Sequence, residues 1–183
     1  MRDIKHVILF LLTLRMTMLS EKWNAFTLRI GIRSTEMEVY KAWTTQDGLE
    51  RWFLRSAEFT NQQGHVRHIH DFVQANDYYH WLWYGYPDDV FERKEVIEAN
   101  GRNVFKFLFS GNCVVTISLS HAFGETICTL TQENIPLDSD PKKNLHLNCS
   151  NGWTFYLTNL KSVLEGGHDL RNKNINLSHV VNA

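Results

Sequence analysis

From Phe105 to Gln132 the chain places apolar side chains at every second position, and this alternation limits the fold more than any other feature. Phe105, Phe107 and Phe109 share a face of one segment, Cys113, Val115, Ile117 and Leu119 of a second, and Thr126, Cys128, Leu130 and Gln132 of a third. Successive side chains of a strand point to opposite sides, so each segment is expected to be a strand with one buried face. The separators Asn100-Gly101, Ser110-Gly111-Asn112 and Phe123-Gly124 are short turn signals. Connections that short join antiparallel neighbours. The same period appears earlier, in Ala57 and Phe59, in Tyr79, Trp81 and Trp83 with His80 and Leu82 opposite, and from Phe91 to Ala99. Asn24 to Arg33 also alternates, with Phe26, Leu28, Ile30 and Ile32 on one side. A further extended stretch is expected from His65 to about Val73, between turns at Asn61-Gln62-Gln63-Gly64 and Asn76-Asp77.

Helical signals follow the first strand and close the domain. Ser34 or Thr35 offers an N-cap, with Glu36 and Glu38 in the first turn, where the helix dipole favours anions. Val39, Tyr40 and Trp43 form the apolar stripe of this short helix. Gln46-Asp47-Gly48 is expected to break it, with Leu49, Trp52 and Phe53 placing a second short helix immediately after. Near the end, Cys149, Trp153, Tyr156, Leu157, Leu160 and Leu164 mark one face of a helix from about Leu145 to Leu164, stopped by Gly166-Gly167. A sheet with one apolar face must be covered, and this helix is the one element long enough to cover it. Pro136 and Pro141 bracket a loop in which Asp138-Ser139-Asp140 supplies caps.

Composition narrows the function classes. Lys and Arg number 19 against 20 Asp and Glu, a net charge of −1, which gives no electrostatic footprint for nucleic acid or anionic lipid. With 43% hydrophobic and 21% charged residues the chain can bury a core, and disorder is excluded. Three cysteines, Cys113, Cys128 and Cys149, are an odd number without ligand spacing, so they are expected as reduced core thiols of a cytoplasmic protein. The apolar run Val7 to Leu14 is too short for a membrane span, and no small-residue cleavage pattern precedes Glu21. Residues 1–20 are therefore assigned to a helical or extended N-terminal extension, 21–167 to one domain and 168–183 to a polar tail.

The order strand, two short helices, antiparallel meander and long final helix reproduces an α+β fold of the helix-grip (START/Bet v-like) type, a curved sheet wrapped around the C-terminal helix. Four segments carry a family resemblance: WTTQDGLERWF from Trp43 to Phe53, DYYHWLWYG from Asp77 to Gly85, TICTLTQENIP from Thr126 to Pro136 and, above all, GWTFYLTNLK from Gly152 to Lys161. Over about residues 22 to 167 the chain resembles the SRPBCC/START-like superfamily. The branch it is most similar to is the small bacterial proteins homologous to the C-terminal domain of the activator of the heat shock protein 90 ATPase. The resemblance implies an apolar cavity between sheet and helix, which members of the superfamily use for lipids, polyketides and other apolar molecules. It transfers no catalytic motif. The N-terminal domain of the eukaryotic co-chaperone has no counterpart in the chain.

Trp52, Phe53, Tyr79, Trp81, Trp83, Phe105, Phe107, Phe109, Trp153, Tyr156, Leu157 and Leu160 converge between sheet and helix if the faces are as read. Such a set either fills a core or lines a site for a small apolar or aromatic ligand, with Tyr79, Trp81, Trp153 and Tyr156 supplying polar tips. His65, His68 and His70 lack a third ligand of suitable spacing and read as a solvated edge rather than a metal site. His146 and Cys149 lack an orienting third group. The expected function is a non-enzymatic small-molecule-binding protein without cofactor or metal. A protein-interaction module related to the chaperone ATPase activator, meeting a protein partner through Val7 to Leu14, is the first alternative, with a homodimer as another form of partnership. A cyclase- or hydrolase-like enzyme is the second, and it requires a buried ionisable group, of which the inward-facing set contains none.

Overall fold

A computed structural model describes residues 23–136, 144–174 and 176–177. The opening alternation forms strand β1 (Phe26–Ile32), which pairs along its whole length with β7 (Glu125–Glu133), the last strand in sequence. From β7 the sheet runs back through β6 (Cys113–Ala122), β5 (Val104–Phe109), β4 (Phe91–Ala99), β3 (Tyr78–Leu82) and β2 (Ser56–Thr60). The result is a seven-stranded antiparallel sheet in the order β1-β7-β6-β5-β4-β3-β2. It has the architecture expected of the helix-grip fold.

Two short helices carry the chain from one edge of the sheet to the other. Helix α1 (Glu36–Thr44) starts at Thr35, not Ser34, because Thr35 and Glu38 form a reciprocal capping box in which the Glu38 N–H donates to Thr35 Oγ1 and the Thr35 N–H to the Glu38 carboxylate. Helix α2 (Gln46–Trp52) begins one residue after α1 ends, and Thr45 serves both ends. Gln46-Asp47-Gly48 is thus the first turn of α2 rather than a break. Gly48 is needed for close approach: a Cβ there would lie 2.4 Å from the Lys41 carbonyl oxygen. Helix α3 (Leu145–Leu164) spans the apolar stripe read from sequence and packs on β1 and α2.

Register decides which side chains face α3. Phe26 pairs with Gln132, Gln132 with Val115, and Val115 with Phe107, so these four share the concave face. Tyr79 and Trp81 lie on the same face, opposite Lys94 and Glu92. Each edge strand also has hydrogen-bond partners outside the sheet. The Lys161 ammonium donates to the Gly31 carbonyl of β1 at 2.6 Å. On β2 the Ala57 N–H donates to Glu50 Oε1 and the Arg67 N–H to the Phe59 carbonyl.

The expected extended stretch from His65 to Val73 is corrected to a loop. Val66 makes one isolated bridge with Thr60, and the loop is then tied to the helices, Asp47 N–H donating to the Ile69 carbonyl and Val73 N–H to the Thr44 carbonyl. Its exposed apolar residues Val66, Ile69 and Phe72 recur at every third position, not every second. The run Val7 to Leu14, the N-terminal extension 1–20, the Asp138-Ser139-Asp140 caps and the end of the tail lie outside the described residues. Among the described residues no helix is long and apolar enough to cross a membrane.

Candidate ligand-binding site

All twelve side chains named from sequence come together between the concave face and α3. Trp52, Phe53, Tyr79, Trp81, Phe105, Phe107, Trp153, Leu157 and Leu160 are buried, while Trp83, Phe109 and Tyr156 are half-buried at one side of the cluster. Phe53, the residue immediately after α2, is the hub. Its ring centroid lies 4.7 Å from Tyr156, 5.1 Å from Trp153, 5.2 Å from Trp52, 5.7 Å from Trp81 and 5.9 Å from Trp83. Tyr79 stacks on Trp81 at 3.9 Å, and Phe109 lies 5.1 Å from Trp153. At these separations the rings touch, and offset or edge-to-face pairs of this kind each contribute about 0.5–1.5 kcal/mol beyond burial.

The polar atoms in this apolar interior divide into two groups. Three are paired: Trp52 Nε1 donates to the Ala42 carbonyl at 2.9 Å, the Tyr79 hydroxyl to the Leu108 carbonyl at 2.7 Å and Trp153 Nε1 to Gln132 Oε1 at 2.9 Å. The others are not. Trp81 Nε1 and Gln132 Nε2 are buried and have no hydrogen-bond partner among the described residues, as is also the case for Trp43 Nε1. The Gln132 orientation is fixed by chemistry, because an indole N–H only donates and so selects the amide oxygen. The amide nitrogen is left beside the Cys113 and Cys149 thiols, which are weak acceptors.

Burial disfavours ionisation of the thiols and phenols on this face. It pushes the Cys149 thiol up to about 11, the Cys128 thiol up to about 12 and the Tyr156 phenol up to about 12, and it raises Cys113 and Tyr79 as well. These thiols and phenols are therefore neutral at neutral pH. Two half-buried ionisable residues outside the set named from sequence also face inward. Glu92 and Lys94 lie on the concave face by register, Glu92 accepting from Ser110 Oγ at 2.9 Å and the Lys94 ammonium donating to Asn112 Oδ1 at 2.8 Å.

Sequence reasoning missed Trp43, Gln132, Cys113 and Cys149 as members of the site. Trp43 lies 4.7 Å from Trp52 and 5.9 Å from Trp153. Gln132 stands last in an otherwise apolar alternation, and that polar residue on the inward face was the available signal. The histidines sit apart from this cluster: His70 Nδ1 lies 2.9 Å from Asp47 Oδ2, and the His68 and His70 rings are 5.4 Å apart. Among the described residues no three His, Cys, Asp or Glu side chains are placed to hold a metal ion. His146 packs on Trp23 and Phe26, and its Nδ1 lies 2.9 Å from the Trp23 carbonyl. A separate depression of about 310 Å³, lined by Glu38, Lys41, Asp47 and Arg51 among others, shares no residue with the aromatic cluster.

With sheet, helices and aromatic interior defined, comparison with known proteins decides the family. Residues 33–165 match the family described as Activator of Hsp90 ATPase homolog 1-like protein. The chain belongs to that family. No curated protein matches the sequence. Among solved structures the chain is similar to SSP2350 from Staphylococcus saprophyticus, with a TM-score of 0.60, 16% identity, and 80% of this chain and 96% of that one covered. It is also similar to the Aha1 dimer from Colwellia psychrerythraea, with a TM-score of 0.60, 17% identity and coverage of 78% and 97%. DynU16, a protein in the dynemicin biosynthetic locus, matches with a TM-score of 0.60 and 17% identity, over 82% of this chain and 50% of its own. At these identities the shared property is the fold.

Proposed function

We propose that this Activator of Hsp90 ATPase homolog 1-like protein binds a small, largely apolar or aromatic molecule between its sheet and α3, without chemical conversion. One observation carries the reading: a largely aromatic cluster holds buried N–H donors without strong acceptors and has three half-buried rings, Trp83, Phe109 and Tyr156, along one side. A buried donor left unpaired costs about 1–3 kcal/mol, and a ligand that engages it recovers that cost. Desolvation supplies the rest, at about 25 cal/mol per Å² of apolar surface removed from water. The upward-shifted thiols and phenols fit binding rather than catalysis, since an acid or base acting at neutral pH is tuned toward 7.

The test has two parts. Native mass spectrometry of freshly purified protein is expected to show an adduct of a few hundred daltons that is lost on denaturation. Titration with the neutral fluorescent arene 1-aminoanthracene is expected to quench tryptophan emission saturably. Trp83→Ala, at the half-buried side, is expected to weaken binding about tenfold in protein that circular dichroism shows to be folded. A folded wild-type protein that carries no adduct and does not respond to the probe overturns the proposal.

A further inference from the structure

Resting on the binding reading above, we infer that the ligand is an uncharged planar molecule bearing a carbonyl or comparable acceptor, and that Gln132 and Trp81 are the residues that recognise it. Both are fully buried and both stand on the concave face; Trp81 Nε1 has no partner among the described residues, and the Gln132 amide nitrogen has only the weakly accepting Cys113 and Cys149 thiols beside it. They belong to the same ring network: Trp81 meets Phe53 at 5.7 Å, Phe53 meets Trp153 at 5.1 Å, and Trp153 is hydrogen-bonded to Gln132.

The donor chemistry selects the ligand class by exclusion. A hydrocarbon would leave both donors unpaired, so it forgoes the interaction that a carbonyl oxygen accepts. A carboxylate would have to be buried against neutral amide and indole N–H groups, without the paired cation that a buried charge requires. The Lys94 ammonium on this face is engaged by Asn112, and the neighbouring Glu92 carboxylate adds repulsion. The Arg171 guanidinium, though buried, donates to Leu54, Glu50 and Arg51 carbonyls at the end of α2. Planarity follows from the walls, since a flat molecule can insert beside rings that stack or meet edge to face. The protonated thiols of Cys113 and Cys149 beside Gln132 make the complex non-covalent.

Three probes of one size separate these classes: 1-indanone, indane and 1-indanecarboxylate, titrated calorimetrically into the whole chain. The expected order is 1-indanone about tenfold or more tighter than indane, with the carboxylate weakest. In ¹H–¹⁵N spectra of the wild-type protein, 1-indanone is expected to move the Trp81 indole or Gln132 amide signal, assigned by comparison with Trp81→Phe and Gln132→Met. Indane is expected to move neither. Gln132→Met should erase the preference for the ketone while retaining indane affinity. If that variant does not fold, the wild-type shifts decide the matter alone. Equal affinity for indanone and indane, or tightest binding of the carboxylate, overturns this inference and leaves the binding reading standing. Binding of none of the three overturns both.

Discussion

The two ends of α3 solve opposite problems. Its first three turns, through Cys149, Trp153 and Tyr156, face an interior of rings, protonated thiols and poorly paired N–H donors. Beyond its C-terminal half lies a dense set of ion pairs. Arg171 is buried, its guanidinium donates to three backbone carbonyls of α2 and the residues just after it, and Asp169 holds it in place. Asn159 joins the two ends, donating to the Trp52 carbonyl at 2.6 Å and to Asp169 Oδ1 at 3.0 Å. The carbonyls at the end of a helix have no partner within the helix, so one Arg that caps α2 fixes Phe53, which immediately follows it. Charges are spent on rigidity where the chain must be anchored, and polar groups are left unpaired where the aromatic interior would admit something else. Local rules of structure are most often broken at functional sites.

The sharpest way to break this contrast is to remove the anchor. Arg171→Met removes a buried cation and leaves three carbonyls without their donor, while Asp169 keeps Lys173 and Asn159 as partners. A loss of about 3–5 kcal/mol of stability is expected, read from urea unfolding. Trp153→Phe, at the other end, costs about 1–3 kcal/mol, because Gln132 Oε1 is stranded and the smaller ring leaves a small void. If the order of the two losses reverses, the aromatic interior rather than the ion-paired end anchors α3.

The sequence was unequally informative about these ends. The meander was legible because period-two alternation and short turns act locally: Phe105 to Phe109 and Cys113 to Leu119 fall in strands where the spacing put them. Trp83 was placed one residue too far, since β3 ends at Leu82 and Trp83 reaches the cluster from the following turn. The stretch from His65 to Val73 misled because its backbone bonds go to Phe59, Thr44 and Asp47, partners that no local pattern announces. The Arg171 clamp was equally invisible: its acceptors are carbonyl oxygens more than a hundred residues away, and any sequence supplies carbonyls. The aromatic set was legible as a group because apolar faces imply a shared interior. The unpaired donors were not, since pairing depends on side-chain orientation.

Titration distinguishes the two ends without mutating either. At the ion-paired end the Arg33 backbone N–H and the Lys161 ammonium hold the Glu165 carboxyl down to about 2, from an ordinary 4.5. A lowered folded value stabilises the native state above pH 4.5, and that contribution disappears as the pH falls toward 2. The stability difference between wild type and Glu165→Gln is therefore expected to narrow between pH 4.5 and 2.5. In the aromatic interior the sign is reversed. Burial raises the Cys149 thiol from 9 to about 11 and the Cys128 thiol to about 12, so stability is full below pH 9 and falls as the pH climbs from 9 toward 12. Cys149→Ala should flatten part of the alkaline slope and leave the acid limb unchanged. A change in the acid limb instead would mean that the two ends are electrostatically coupled through α3.

The smallest effect is expected where the charges are most exposed. His70 and Asp47 form a pair whose side chains are 58% and 34% exposed, so solvent screens it, and His70→Ala is expected to cost no more than about 0.5 kcal/mol in thermal unfolding. The loop it decorates is docked by backbone bonds, Asp47 N–H to the Ile69 carbonyl at 3.1 Å and Val73 N–H to the Thr44 carbonyl at 2.8 Å, and neither needs the imidazole. Val73, buried beneath the loop, adds apolar anchorage of its own. A loss several times larger would show that the imidazole positions α2 through Asp47. The anchorage of Phe53 would then be shared between this loop and Arg171, and the division between the two ends of α3 would have to be redrawn.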